Sequence, residues 1–179
     1  MKKFEIPTGV YPDENRDGMT KSGFSILLPD IRSGWNVGAF FRTADGLHVE
    51  HIYLTGITPY PPHKEIVKTA LGAENMVPWS YHVNSEDVVK ELKMSGITIV
   101  ALETGRDSIS IEKFIPKFPL CLIVGNEIDG IPETILKLTD EKICIPMRGK
   151  KESFNVAIAG AIAMWEIAKH KIQSTKQKK

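Results

Sequence analysis

The chain has 179 residues, enough for one hydrophobic core in a single domain. Its 23 lysines and arginines against 22 acids give a net charge of +1, which neither demands nor excludes a nucleic-acid partner. No run of about 18 apolar residues exists, which excludes a membrane-spanning helix.

The start, Met1 to Pro7, lacks the long apolar core of a signal peptide, so a cytoplasmic protein is expected. Residues 1–22 are polar and carry Gly9, Pro12, Asn15, Asp17 and Gly18; they read as an arm without a core face. Phe24 to Leu28 is the first predicted strand. After the loop Pro29–Trp35, Asn36 is expected to cap a helix with an apolar face of Val37, Phe40, Phe41, Ala44 and Leu47. Arg42 falls off that face. His51–Leu54 is the second strand, and Pro59–Pro62 is a proline-rich loop.

His63 to about Leu71 reads as helix, and Val77–Tyr81 as a short edge strand. Ser85–Leu92 opens a capped helix with acids in its first turn, stopped by Gly96. Ile97–Leu102 and Leu120–Val124 are apolar strands, each followed by a glycine-containing turn. Pro132 suits the first turn of a helix over Ile131–Leu138. Lys142–Ile145 is a last strand, halted at Pro146.

Ser153 or Asn155 then caps a helix running to about Ile172, almost wholly apolar from Val156 to Trp165. A helix apolar all round has to be covered on more than one side. The basic end, 173–179, reads either as a solvated tail or as an RNA contact.

Strands alternate with helices, and several strands are apolar on both faces. The expected fold is therefore α/β, a mostly parallel sheet covered by helices on both faces. Ligands of such sheets bind beyond the carboxyl ends of the strands. Those ends read Thr55-Gly56, Glu103-Thr104-Gly105, Gly125-Asn126-Glu127 and Ile145-Pro146-Met147. The Walker, dinucleotide and nucleophile-elbow signatures are all missing. Cys121 and Cys144 lie in apolar runs and read as buried free thiols. His48, His51, His63 and His82 have no metal spacing, and no metal site is expected.

Three segments carry a resemblance. Asn36–Ala44 resembles the first motif of the SpoU-like (TrmH-type) RNA ribose methyltransferases of the SPOUT superfamily. Leu122–Pro132 resembles the second motif, and Ile145–Gly149 with Ser153–Ala157 resembles the third. Order and spacing also fit, from roughly Phe24 to Ile172. The chain departs from the usual pattern at Phe154, Ala157 and Ile128-Asp129.

The resemblance implies a methyltransferase domain over 23–172, a deep trefoil knot at its C-terminal end, S-adenosylmethionine bound in that knot, and a homodimer built on the last helix. It implies methyl transfer to a ribose 2′-hydroxyl of tRNA or rRNA. The alternative is a knotted RNA-binding module with little catalytic activity; a nucleotide-binding α/β domain without an RNA role is a third reading.

Arg42, Asn36, Glu127, Ser153 and Asn155 are the implied catalytic residues. Alone, Arg42 would read as a surface arginine pairing with Asp45 or Glu127; inside the motif it reads as catalytic. Leu102, Glu103, Thr104, Gly125, Asn126, Gly130, Ile145 and Met147, with Ser153 and Asn155, are the expected cofactor cradle. Arg32, Lys64, Lys68 and Arg148 are candidate RNA phosphate contacts, and Trp35 is either a base-stacking residue or packed on its own domain.

Overall fold

In a computed structural model of the chain, residues 8–9, 22–105, 107–126 and 128–176 are described. In chain order the elements are β1 (Thr8–Gly9), β2 (Phe24–Pro29), α1 (Gly34–Gly46), β3 (Ile52–Thr55), α2 (Lys64–Ala70), β4 (Trp79–His82) and α3 (Ser85–Met94). Then follow β5 (Thr98–Leu102), β6 (Ile109–Ser110), β7 (Leu120–Val124), α4 (Glu133–Leu136), β8 (Glu141–Cys144) and α5 (Val156–Lys176).

The strands form one sheet in the order β1-β4-β3-β2-β7-β5-β8-β6. Every neighbouring pair is parallel except the antiparallel β1–β4. The mostly parallel α/β expectation therefore holds.

Side chains alternate along each strand between two cores, as the period of two requires. Phe24, Ile26 and Leu28 of β2 and Leu120, Leu122 and Val124 of β7 face α1, α2 and α5. Leu27, Cys121 and Ile123 face α3 and α4 through Val88, Val89, Leu92 and Ile135. Both faces of the central strands are buried, which explains their continuous apolar runs.

Several local expectations change. Ser33, not Asn36, caps α1: its Oγ accepts from the Asn36 N–H at 3.4 Å. The helix starts earlier, so Asn36 lies within its first turn. Asn84 caps α3, its Oδ1 accepting from the Glu86 N–H at 2.8 Å. The helix after Pro132 is a single turn. Val77–Tyr81 is not the sheet edge, because Thr8–Gly9, inside the expected arm, pairs outside β4. The two-residue β6 was not expected at all; it has no periodicity to read.

Gly160 of α5 packs against Phe40 of α1: a Cβ there would stand 2.6 Å from the Phe40 Cζ. The small residues of α5 thus admit a helix of the same chain. The opposite stripe of α5 is open. Ile158 and Trp165 are 54% and 57% exposed, with Phe154 just before the helix and Ile162 also exposed. Among the described residues no helix is long and apolar enough to cross a membrane.

Candidate active site

The carboxyl ends of β5, β7 and β8 open onto one cavity of about 440 Å³, within the range of small-ligand sites. All ten residues expected to cradle a cofactor line it. Leu102, Glu103 and Thr104 come from the end of β5, Gly125 and Asn126 from β7, Gly130 from the following loop, and Ile145 and Met147 from β8. Ser153 and Asn155 close it at the start of α5.

The loop after β7 is folded on itself. Asn126 Oδ1 accepts from the N–H groups of Ile128 and Asp129, both at 2.8 Å. The backbones of Asn126 and Gly130 exchange hydrogen bonds at 3.1 and 3.2 Å. The Asn126 carbonyl oxygen of the side chain is thereby committed to the turn. Gly125 has no room for a side chain, since a Cβ would stand 2.5 Å from the Ile131 nitrogen and 2.8 Å from the Gly130 oxygen. Gly130 adopts φ +69°, which favours glycine. Glu103 ties this loop to β5: its carboxylate accepts from the Ile131 N–H at 3.1 Å and from the Thr104 N–H at 2.9 Å.

At the far wall Asn155 caps α5, its Oδ1 accepting from the N–H groups of Ala157 at 3.0 Å and Ile158 at 3.3 Å. Its Nδ2 donates to Asn36 Oδ1 at 3.3 Å. This bond brings the first motif to the rim of a cavity built by the second and third.

Arg42 does not line the cavity of its own chain. It is exposed on α1, and among the described residues it makes no hydrogen bond or ion pair, so the expected alternative of a pair with Asp45 is not formed. Glu127 lies outside the described residues. Of the candidate phosphate contacts, Arg32 reaches the cavity rim, its Nη2 3.8 Å from the Asp129 carboxylate. Arg148 stands 4.0 Å from Glu112 in solvent. Lys64 is exposed, and Lys68 Nζ stands 5.9 Å over the Trp35 ring.

Sequence reasoning missed other lining residues. Val124, Cys144 and Val156 are direct neighbours of expected ones, and Ala159 lies one turn beyond Asn155 on the same side of α5, a spacing that would have found it. Asp129, Glu152 and Phe154 likewise adjoin expected residues, and Ile128 lies within the Leu122–Pro132 segment.

Cys121 is fully buried, and burial pushes its thiol up to about 12, only partly offset by a hydrogen bond with Ser25. Cys144 is half-buried on the cavity wall. Among the described residues no group of three or more His, Cys, Asp or Glu side chains could hold a metal. His63 serves as the cap of α2. His51 and His82 each place Nε2 2.8 Å from the Ser80 Oγ.

The sequence profile of the SpoU rRNA Methylase family matches residues 23–165. The tRNA (guanosine(18)-2′-O)-methyltransferase of Escherichia coli K12 is 28% identical over 142 residues, covering 79% of this chain and 61% of the relative. The 23S rRNA (guanosine-2′-O-)-methyltransferase RlmB of Nitrosomonas europaea is 26% identical over 163 residues, covering 89% and 61%. An AdoMet-bound rRNA methyltransferase from Sinorhizobium meliloti superposes with a TM-score of 0.78 at 28% identity, over 84% of this chain and 57% of that one. The chain spans about three fifths of the length of these relatives.

Proposed function

The chain belongs to the SpoU rRNA Methylase family, and on that premise we propose that it transfers a methyl group from S-adenosylmethionine to a ribose 2′-hydroxyl of tRNA or rRNA. The observation that carries the proposal is the Asn155–Asn36 hydrogen bond, which couples the cavity to the helix bearing Arg42.

The cavity suits the cofactor. Gly125 offers bare backbone where any side chain would collide, and apolar Leu102, Ile145 and Met147 supply surface for a flat heterocycle. The acids Glu103, Asp129 and Glu152 on its walls complement a cation. When bound, S-adenosylmethionine supplies an electrophilic methyl on a positively charged sulfur. The chain has to align the ribose oxygen with that carbon and hold charge on the oxygen as its proton passes to solvent or to an RNA phosphate, while the broken carbon–sulfur bond leaves its electron pair on the sulfur. Arg42 does the second task in this reading. A guanidinium offers donors and no acceptor, so Arg42 acts on the developing alkoxide or on a neighbouring RNA phosphate. Asn36 orients Arg42 or the ribose, Glu127 holds Arg42 or neighbouring backbone as the resemblance implies, and Ser153 and Asn155 fix the loop and reach the acceptor. Arg32, Lys64, Lys68 and Arg148 hold phosphates.

We further infer a trefoil knot, a homodimer and a cytoplasmic setting. The knot is supported by the strand order, in which β8, later in the chain, lies between β5 and β6. The exposed apolar stripe of α5 supports the dimer, since a row of Ile158, Ile162 and Trp165 with Phe154 suits a second copy better than water. The methyltransferase domain would then span 23–172; the expected arm at 1–22 lies outside the described residues apart from 8–9 and 22, and of the expected tail at 173–179 the described residues 173–176 continue α5.

Tritiated methyl transfer into total RNA, followed by nucleoside analysis, tests the activity. A labelled 2′-O-methylnucleoside is expected. Cofactor binding by calorimetry without any labelled RNA across a range of salt would instead favour the knotted RNA-binding module. Sedimentation at micromolar concentration tests assembly, and an active monomer would end the dimer reading.

A further inference from the structure

Trp35 stands in the first turn of α1, and the chemistry above makes no use of it. Its side chain is 49% exposed, whereas Phe40 and Phe41 of the same helix are buried. An indole left in water forgoes the burial that makes tryptophan useful in a core. The alternative of packing on its own domain is therefore only half realised.

Three relationships give the ring a setting. Lys68 Nζ stands over it, 5.9 Å from the centroid, within cation–π reach. Lys68 and Lys64 are both exposed on α2; Glu65, between them, packs beside Gly34. α2 packs closely on α1, since a Cβ at Gly38 would stand 2.7 Å from the Ile66 oxygen. Trp35 also adjoins Asn36, the residue hydrogen-bonded to Asn155 at the cavity. Finally, Trp35 and Arg42 lie about two helical turns apart and so share one side of α1.

We propose that Trp35 and Lys68 form a stacking platform for an unpaired base of the RNA substrate, beside the nucleotide whose ribose is methylated. The proposal rests on the RNA methyltransferase reading and narrows its substrate class to a single-stranded or looped segment. A π face accepts any base, and an ammonium beside it meets the adjoining phosphate. A continuous duplex keeps its bases stacked on each other and offers this surface no free face.

The test compares wild type with Trp35→Ala, Trp35→Phe and Lys68→Ala. Two measurements are made: transfer kinetics on an RNA that the wild type methylates, and affinity for a short fluorescent single-stranded RNA by anisotropy. Trp35→Ala is expected to raise KM and the single-strand Kd by about tenfold, the size of one lost base–aromatic stack. Its kcat and cofactor affinity should stay within about twofold of wild type, as for loss of a contact equal in ground and transition states. Trp35→Phe should recover most of the loss, and Lys68→Ala should lower the salt dependence of binding. Annealing a complementary strand should erase the difference between wild type and Trp35→Ala.

Unchanged KM and Kd in Trp35→Ala overturn the platform. So do equal losses in the Ala and Phe variants, or a changed sedimentation coefficient, which would make Trp35 a protein-packing residue. If wild type labels no RNA, the enzyme reading fails separately; the anisotropy series still decides the platform, and equal single-strand affinity in all four proteins rejects it.

Discussion

Asn155 Nδ2 donates to Asn36 Oδ1 across 3.3 Å, joining residues 119 positions apart in the chain. The bond is possible because each amide is oriented by something else. Asn155 has its oxygen fixed by the free N–H groups at the start of α5, which leaves the nitrogen facing α1. Ser33 caps α1, and the Asn36 side-chain oxygen accepts from Asn155. Asn155→Asp should therefore preserve the cap while replacing the donor by a second acceptor. The expectation is a melting temperature near wild type with lowered methyl transfer. Asn155→Ala should lose the cap too, costing about 1 kcal/mol of stability. Thermal melts and single-turnover transfer check both; an Asp variant with full transfer would separate the Asn pair from the chemistry.

Arg42→Ala should nearly abolish methyl transfer and leave cofactor affinity close to normal, since Arg42 lies outside the cavity. Stability should move by less than about 0.5 kcal/mol, because the side chain is exposed and holds no partner among the described residues. Arg42→Lys should recover little, as an ammonium lacks the planar fork of a guanidinium. Calorimetry with the cofactor and a transfer assay separate binding from turnover. Substantial turnover in the Ala variant would remove Arg42 from the mechanism.

Much of this arrangement is readable from residue order. The apolar runs Phe24–Leu28, Leu120–Val124 and Ile97–Leu102 announce strands buried on both faces, and the glycines after them announce a ligand edge. What could not be read follows from physical causes. Ser33 and Asn36 are both good caps, and nothing in the local sequence ranks one above the other. Ile109–Ser110 is too short for any pattern. The insertion of β8 between β5 and β6 is a long-range choice, and no local propensity encodes it. The union of Asn36 with Asn155 belongs to the same class: composition offers two asparagines, and only the α1–α5 packing makes them neighbours.

The two thiols should behave differently toward an alkylating reagent in the folded protein. Cys144 lines the cavity and is half-buried, so it should react slowly and be shielded by saturating S-adenosylmethionine. Cys121 is fully buried with its thiol pushed up to about 12, so it should stay unmodified until the protein unfolds. Mass spectrometry of peptides labelled with and without cofactor gives both answers. Equal labelling of Cys144 under the two conditions would mean that the cofactor does not sit against β8.

Acid should destabilise the fold through His51. Burial, with a smaller contribution from neighbouring His82, lowers its pKa from 6.5 to about 4, and burial also lowers that of His82. Both ring nitrogens stand 2.8 Å from the Ser80 Oγ, whose single proton can go to at most one of them. Between about pH 6.5 and 4 the unfolded chain therefore binds more protons at His51 than the native chain does. The stabilisation from the neutral ring is fully present above pH 6.5 and is lost as the pH falls through that window. The full shift corresponds to an effect on the order of 2 kcal/mol after allowing for partial solvent contact. Urea midpoints of wild type and His51→Gln, measured from pH 7 to 4.5, isolate this contribution from the carboxylates common to both. The advantage of wild type at pH 7 should shrink as the pH falls; parallel curves would show that His51 is as easily protonated in the folded protein as in the unfolded chain.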